Sequence, residues 1–454
     1  SGCGPDRMPR PEKLPGDEDV VVSQPEASPK AAVSNPKPAA PPAPAAPTAA
    51  PAPNPPKAYS DKAEAVAALE AAGYLLERDG DGVVVSVSVT SDSNVSETYK
   101  HLAGLSKITK ARFSGPGIGD QGLDVLSDMP LLQRLDFTDS AITDKTLDVV
   151  AKLTGLQVLS LRRVGVTDEG LMKLAPLQKL RAIDLRNSNI GDEGMKALAK
   201  LSSLQDAQLE KSKVTDTGVK ELAGLPLKSF NANYCTSLTN DTLEVFSKIP
   251  TLEQIQLDYT KINDEGMASL AGLKNLKRLR IRGCDVTGEG IKQIAGATEM
   301  SRMELRDTSI DDDGLAIIAK YPKLTYLDLG ECRLISPEGI KQLGEATGLT
   351  YLGFWETKLN DEAFGSLGEL VNLTELDVKA TNLSDDSIDT LLQFQKLQKL
   401  NVAGVQQLTD EGFVKIATLP NLKWINVAVT NIGSEGFDAL EEQNEDLEII
   451  EYEN

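Results

Sequence analysis

Apolar residues recur along most of this chain with a period of about 24 residues, first in alternation and then at helical spacing. With the first apolar position of each unit as offset zero, the series runs Val84, Ile108, Leu132, Leu156, Leu180, Leu204, Leu227, Leu252, Leu276, Met300, Leu324, Leu349, Leu373, Leu397, Leu422, Leu447. Offsets 0, 3 and 5 are apolar almost throughout, as in Leu156, Leu159 and Leu161, and their alternation marks a short strand. Ten to twelve residues further on comes an apolar residue, a capping residue and an acid: Ile142-Thr143-Asp144, Val166-Thr167-Asp168, Ile262-Asn263-Asp264, Leu383-Ser384-Asp385. That triplet is a helix start, because the cap satisfies free N–H groups and the helix dipole favours the negative charge. Apolar residues at offsets 15, 18 and 21, such as Leu171, Leu174 and Leu177, then mark one helical face. Each unit predicts a strand, a turn and a short helix. A unit this small buries its leucines only against like neighbours, so residues 83–454 are expected to stack as about sixteen coils.

The ends need caps. Ser60-Asp61-Lys62-Ala63-Glu64 predicts a helix running to about Ala72, followed by the turn Asp79-Gly80-Asp81-Gly82, so residues 58–82 read as an N-terminal helical cap. At the other end a strand from Leu447 to Tyr452, with Glu445, Asp446, Glu448, Glu451 and Glu453 on and beside it, predicts a charged edge that discourages further stacking. Before the cap, sixteen of the 24 prolines lie between Pro5 and Pro56 among alanine runs. Residues 1–57 cannot bury a core and read as a disordered, extended Pro/Ala linker. Their first residues, Ser1-Gly2-Cys3-Gly4, resemble the tail of a bacterial lipobox, which implies lipid attachment at Cys3 and an exported protein tethered to the cell envelope.

The repeat units resemble those of leucine-rich-repeat proteins, close to the cysteine-containing type L-x-x-L-x-L-x-x-C-x-x-[IL]-T-D-x-G-[LI]. Cys235, Cys284 and Cys332 occupy offset 8, and Ser or Thr stands there in sister units, for example Ser140, Thr260 and Thr308. The resemblance implies an α/β fold: a right-handed horseshoe with a parallel sheet on the concave face and short helices on the convex one. It also implies a recognition surface on the sheet. The three cysteines read as small buried side chains that hydrogen-bond the turn, and the recurrent Asp at offset 12 as a helix-start acid.

Offsets 1, 2, 4, 6 and 7 face away from the leucine core, and eleven of the twelve arginines after residue 83 fall there. Lysines such as Lys196 and Lys220 spread over the helices instead. The candidate ligand-binding residues are therefore Arg162, Arg186, Tyr234, Tyr259, Arg278, Arg280, Arg282, Arg302, Arg306, Tyr326, Tyr351, Trp355 and Trp424. Arg, Tyr and Trp are the residue types enriched in binding hot spots. The competing reading is a self-satisfied ladder in which Asp258, Glu304, Asp307 and Asp328 neutralise the arginines. Because these side chains point away from the core, reversing Arg282 and Arg306 to Glu is expected to spare folding.

Composition narrows the function. His101 is the only histidine, which leaves no His pair for a metal and no triad, and four cysteines in 454 residues are too few for a disulfide scaffold. A net charge of −21 argues against nucleic acid. The expectation is a non-catalytic, cofactor-free, metal-free and monomeric module that binds a protein or peptide, an acidic one being suited to the arginines. Two other readings stay open: a structural or adhesive envelope protein recognising an acidic polysaccharide, and a substrate receptor of a ubiquitin-ligase type complex.

Overall fold

The computed structural model describes residues 59–443 and 446–452. Cys3, the Pro/Ala stretch to Lys57, Glu445 and Glu453 lie outside them. Among the described residues seventeen strands form one sheet. From Val84–Thr90 to Glu448–Ile450 each strand pairs in parallel with the next in sequence, so sixteen parallel strands follow one another in chain order. The register holds equal offsets opposite one another: Arg278 faces Arg302, Arg302 faces Tyr326, and Tyr326 faces Tyr351. Short helices return the chain between strands, and the repeated leucines fill the layer between helices and sheet, with Leu156, Leu159 and Leu161 fully buried beside Leu171, Leu174 and Leu177.

The helix starts show why the T-D-x-G run recurs. Thr167, Thr215 and Thr287 cap helices beginning at Asp168, Asp216 and Gly288 by accepting a backbone N–H. The aspartate that follows a cap does more than favour the dipole. Asp192 accepts both the N–H (2.8 Å) and the hydroxyl (2.7 Å) of Thr215 in the next coil, and Asp144 and Asp264 do the same for Thr167 and Thr287. The recurrent spacing is thus a coil-to-coil staple. The glycine of the motif makes room for it: a Cβ at Gly170 would come within 2.0 Å of Asp144 Oδ1, and one at Gly218 within 2.5 Å of Asp192 Oδ1. Where threonine replaces that glycine, its hydroxyl joins the staple, as Thr242 does by donating to Asp216 at 2.6 Å.

The N-terminal cap differs from expectation in one element. A helix spans Ala63–Ala71, but a strand, Leu75–Arg78, follows it and pairs antiparallel with Val84–Thr90 through the 79–82 turn. Asp61 joins these parts, accepting from the N–H groups of Val84 (2.7 Å) and Ser106 (2.9 Å). The first two coils return through 3-10 turns, Ser96–Gly104 and Leu123–Asp128, and His101 lies half-buried in the first. At the C-terminal end Glu448–Ile450 closes the parallel ladder. Among the described residues no helix is long and apolar enough to cross a membrane.

Candidate binding surface

Three-residue strands such as Arg278–Arg280 and Arg302–Glu304 bury their central residue and present the flanking offsets 2 and 4 on the other side of the sheet. The chain continues through offset 6 and then turns at offset 7, where every residue from Gly115 to Val429 takes a positive φ, including Arg163, Tyr234, Tyr259, Glu331 and Glu356. A left-handed conformation costs a non-glycine residue roughly 1 kcal/mol. It is held because the offset-7 N–H reaches the offset-6 carbonyl of the next coil, as from Tyr259 to Arg282 (2.7 Å) and from Glu331 to Trp355 (2.6 Å). This second hydrogen-bonded ladder lifts offset-7 side chains out of the column that a regular strand would give them. Glycine at offset 7 in Gly115, Gly283 and Gly404 was its sequence signal.

Most candidate arginines are bonded to acids of the same surface. Asp258 is fully buried and accepts from Arg280 Nε (2.6 Å), Arg282 Nε (2.8 Å) and the Arg282 N–H (2.9 Å). Glu304, 3% exposed, accepts from Arg278 (2.8 Å) and Arg302 (2.7 Å), with Arg280 at 3.5 Å. Arg306 pairs with Glu331 at 2.6 Å, Arg186 with Asp184 at 2.7 Å, and Arg163 with Asp139. Burial pushes the Asp258 carboxyl up to about 7 against the pull of Arg280. Burial also acts on Glu304, but Arg278, Arg280 and Arg302 together hold it below its ordinary value.

The acids expected to neutralise the arginines divide. Asp258 and Glu304 do so, and Glu331 takes a part that had been given to Asp307. Among the described residues Asp328 forms no ion pair. Its Oδ1 accepts the Gly330 N–H at 3.1 Å, and burial pushes its carboxyl up to about 6, although Arg306 and Arg280 lie near enough to pull it down.

The aromatic residues pack over this network. Tyr326 and Tyr351 stack at 3.9 Å with planes 4° apart, and the Arg302 guanidinium lies 3.5 Å from the Tyr326 ring centre. Arg306 lies 3.7 Å over Trp355. One coil group earlier, Tyr234 and Tyr259 stack at 5.0 Å with Lys211 over Tyr234. Gly283 permits this, since a Cβ there would meet the Tyr259 ring at 2.3 Å. Tyr234, Tyr259, Arg278, Arg280, Arg282, Arg302, Arg306, Tyr326, Tyr351 and Trp355 thus form one continuous surface across six coils. Arg162 and Arg186 stand apart toward the N-terminal end, and Trp424 stands apart in the Trp424–Asn426 strand, in register with Lys399 and Glu448. Arg162 Nε and Trp355 Nε1 are buried and have no hydrogen-bond partner.

The packing corrects the expectation that charge reversal at Arg282 would spare folding. Arg282 is 9% exposed and its partner Asp258 is fully buried, so Glu at 282 would set two buried carboxylates against each other. Pointing away from the leucines is not the same as facing water.

Cys235, Cys284 and Cys332 are buried and free, and each thiol donates to an offset-5 carbonyl one coil earlier, Cys284 to Leu257 at 3.2 Å. Burial raises the Cys284 and Cys332 thiols to about 11. Among the described residues no group of three or more His, Cys, Asp or Glu side chains is placed to hold a metal.

A family model described as Leucine Rich repeat matches residues 177–199, 248–271, 272–295 and 322–344. No curated protein sequence matches the chain. Among solved structures, a leucine-rich-repeat protein of Leptospira interrogans aligns over 79% of this chain and 93% of its own at 17% identity, with a TM-score of 0.52, which shows the shared fold. An internalin of Listeria monocytogenes covers 87% of this chain and 96% of its own at 19% identity and TM-score 0.40. The yeast Rad7 and Elc1 complex matches over 70% of this chain and 82% of the solved one at 18% identity and TM-score 0.47. The family model and the Leptospira structure show the repeat and its fold.

Proposed function

We propose that this chain, a solenoid of leucine-rich repeats, is a non-catalytic module that captures a protein or peptide on the face of its sheet opposite the helices. The observation that carries the reading is the aromatic cluster held in place by ion pairs: Arg302 on the Tyr326–Tyr351 stack, and Arg306, itself fixed by Glu331, on Trp355. Rigid, amphipathic rings lose little freedom on binding, which is why they dominate hot spots. The helical face instead carries local exposed pairs, such as Lys196 with Glu193 and Lys292 with Glu289, of the kind worth little.

A photo-crosslinking amino acid at Tyr351 should capture a partner from the native source, while the same group at Lys196 or Lys220 should not. Capture at the helix positions and none at Tyr351 would move the working surface to the other face.

The setting belongs to the same proposal. The protein is exported and held at the cell envelope by lipid on Cys3, with the Pro/Ala stretch as a spacer of roughly 100 Å or more when extended. The Ser1-Gly2-Cys3-Gly4 run and the sixteen prolines up to Pro56 support it. With a signal sequence supplied in a bacterial host, Cys3→Ser should shift the protein from the membrane fraction to the soluble one.

A further inference from the structure

The charges of the open face are not shared evenly among the coils. From Leu252 to Glu356, where the aromatic cluster lies, offsets 1, 2, 4, 6 and 7 carry six Lys or Arg against seven Asp or Glu. From Ile108 to Asn187 the same offsets carry seven Lys or Arg against three Asp. In a chain of net charge −21, these four coils form a local basic surface.

Its three acids are already engaged. Arg163 pairs with Asp139, Arg186 with Asp184 at 2.7 Å, and Arg112 lies 3.5 Å from Asp136. Among the described residues Lys110, Arg134, Arg162 and Arg181 form no ion pair. Lys110, Arg134 and Arg181 are exposed, so the space over them is open to solvent. Arg162 is half-buried, and its buried Nε has no hydrogen-bond partner. Lys110 is the register partner of Arg134, which sets two like charges one strand step, about 4.8 Å, apart at the backbone. Like charges side by side are unfavourable for the chain alone, and an anion laid across them reverses the sign.

The row beside them at offset 1 is polar and uncharged except for Arg181. Backbone bonds join it in the order Gln133, Gln157, Arg181, Gln205. Among the described residues the side-chain amides of Gln133 and Gln157 make no hydrogen bond, and each offers both a donor and an acceptor.

Building on the reading of this face as the capture surface, we infer that the coils from Ile108 to Asn187 dock an acidic, extended segment of the partner laid across the strands. Its carboxylates lie on Lys110, Arg134 and Arg181, and its backbone amides meet Gln133 and Gln157. Arg162, at offset 6, adds to the same positive field. Three strand steps from the first of these coils to the last cover about 14 Å, the length of about five extended residues. A sulfated polysaccharide or a nucleic acid carries an anion on every unit and would also meet Asp136, Asp139 and Asp184. A peptide places its carboxylates singly and brings amides for the glutamines. Acidic recognition therefore belongs to these coils, and not to the Arg278–Arg306 cluster, whose cations are matched by acids of the same face.

The test uses the full chain and a capped octapeptide of alternating glutamate and glycine bearing an uncharged dye, followed by fluorescence anisotropy at low salt. The expected result is saturable binding that falls as salt is raised and is weakened about tenfold or more by Arg134→Glu with Arg181→Glu. Both side chains are exposed and unpaired, so the unfolding midpoint should match wild type. Lys196→Glu with Lys220→Glu on the helices changes the net charge equally and should leave the affinity unchanged, and the glutamine–glycine peptide should not bind. Binding indifferent to the Arg134 and Arg181 changes, or weakened equally by the helix pair, overturns the inference. So does saturable binding of dextran sulfate where the glutamate peptide shows none, which would make the row a polysaccharide site. A partner captured at Tyr351 in a yield indifferent to Arg134→Glu with Arg181→Glu would overturn the acidic dock while leaving capture on this face intact.

Discussion

At the scale of single residues, stability resides in the contacts by which one coil holds the next. Asp216 accepts the Thr239 N–H (3.0 Å), the Thr239 hydroxyl (2.8 Å) and the Thr242 hydroxyl (2.6 Å), whereas Asp168 accepts only the Gly191 N–H (2.9 Å). Hydrogen bonds to a charged group contribute a net of about 1.5–3 kcal/mol, and their loss leaves donors unpaired. Asp216→Ala should therefore cost about 2–4 kcal/mol in denaturant unfolding, and Asp168→Ala only about 1 kcal/mol. Gly218→Ala should cost about 1–3 kcal/mol, because its Cβ would also press the Asp192 backbone at 3.0 Å. The cysteines behave as core residues: a polar alkylating reagent at pH 8 should leave Cys235, Cys284 and Cys332 unmodified until denaturant is added, since burial disfavours the thiolate.

At the scale of the strand ladder, the open face is a layer of buried charge and not a loose fringe. Arg282→Glu should destabilise the protein by on the order of 3–5 kcal/mol in the same unfolding assay, with Asp258 left against a second carboxylate. Arg306→Glu should cost less, because both Arg306 and Glu331 are about a fifth exposed. Asp328 gives the opposite sign. Its folded value of about 6 lies above the unfolded one near 3.8, so the native state holds the proton more tightly. Stability is then greatest below about pH 4 for this group and falls as pH rises through 6, a penalty on the order of 2–3 kcal/mol at pH 7. Asp328→Asn should raise the unfolding midpoint at pH 7 and leave it unchanged at pH 4. A variant equally stable to wild type at pH 7 would show that the carboxylate finds its cation within the chain.

At the scale of the whole molecule, a stack of like coils must protect its two ends. The Leu75–Arg78 strand covers the first, pairing residue by residue from Leu75 with Ser88 to Glu77 with Ser86. Leu76→Pro should remove ladder bonding there and bare the Val84–Thr90 edge, giving concentration-dependent association in light scattering; a variant that stays monomeric would assign protection of this end to the helix alone. The opposite edge needs no such strand if its acids repel a second copy, and Glu448 is exposed in it.

The period, the strands, the helix starts and the sidedness of the arginines were legible in the sequence because each depends on side-chain pattern alone, which stacking repeats sixteen times. Leu156 and Leu171 declare their faces without any neighbour being known. The cap strand Leu75–Arg78 was not legible, since four largely exposed residues show no alternation. Nor was the fate of the charges. Whether an arginine meets solvent, a partner or an acid depends on which coil lies beside it and on where the offset-7 backbone turns. Glu331 reaches Arg306 from a left-handed position, while Asp328, in regular strand geometry, forms no ion pair among the described residues. The sequence determined the faces of this molecule; three-dimensional stacking decided the electrostatics of the open one, because Coulomb and burial terms depend on distances of a few ångströms between residues about 25 positions apart.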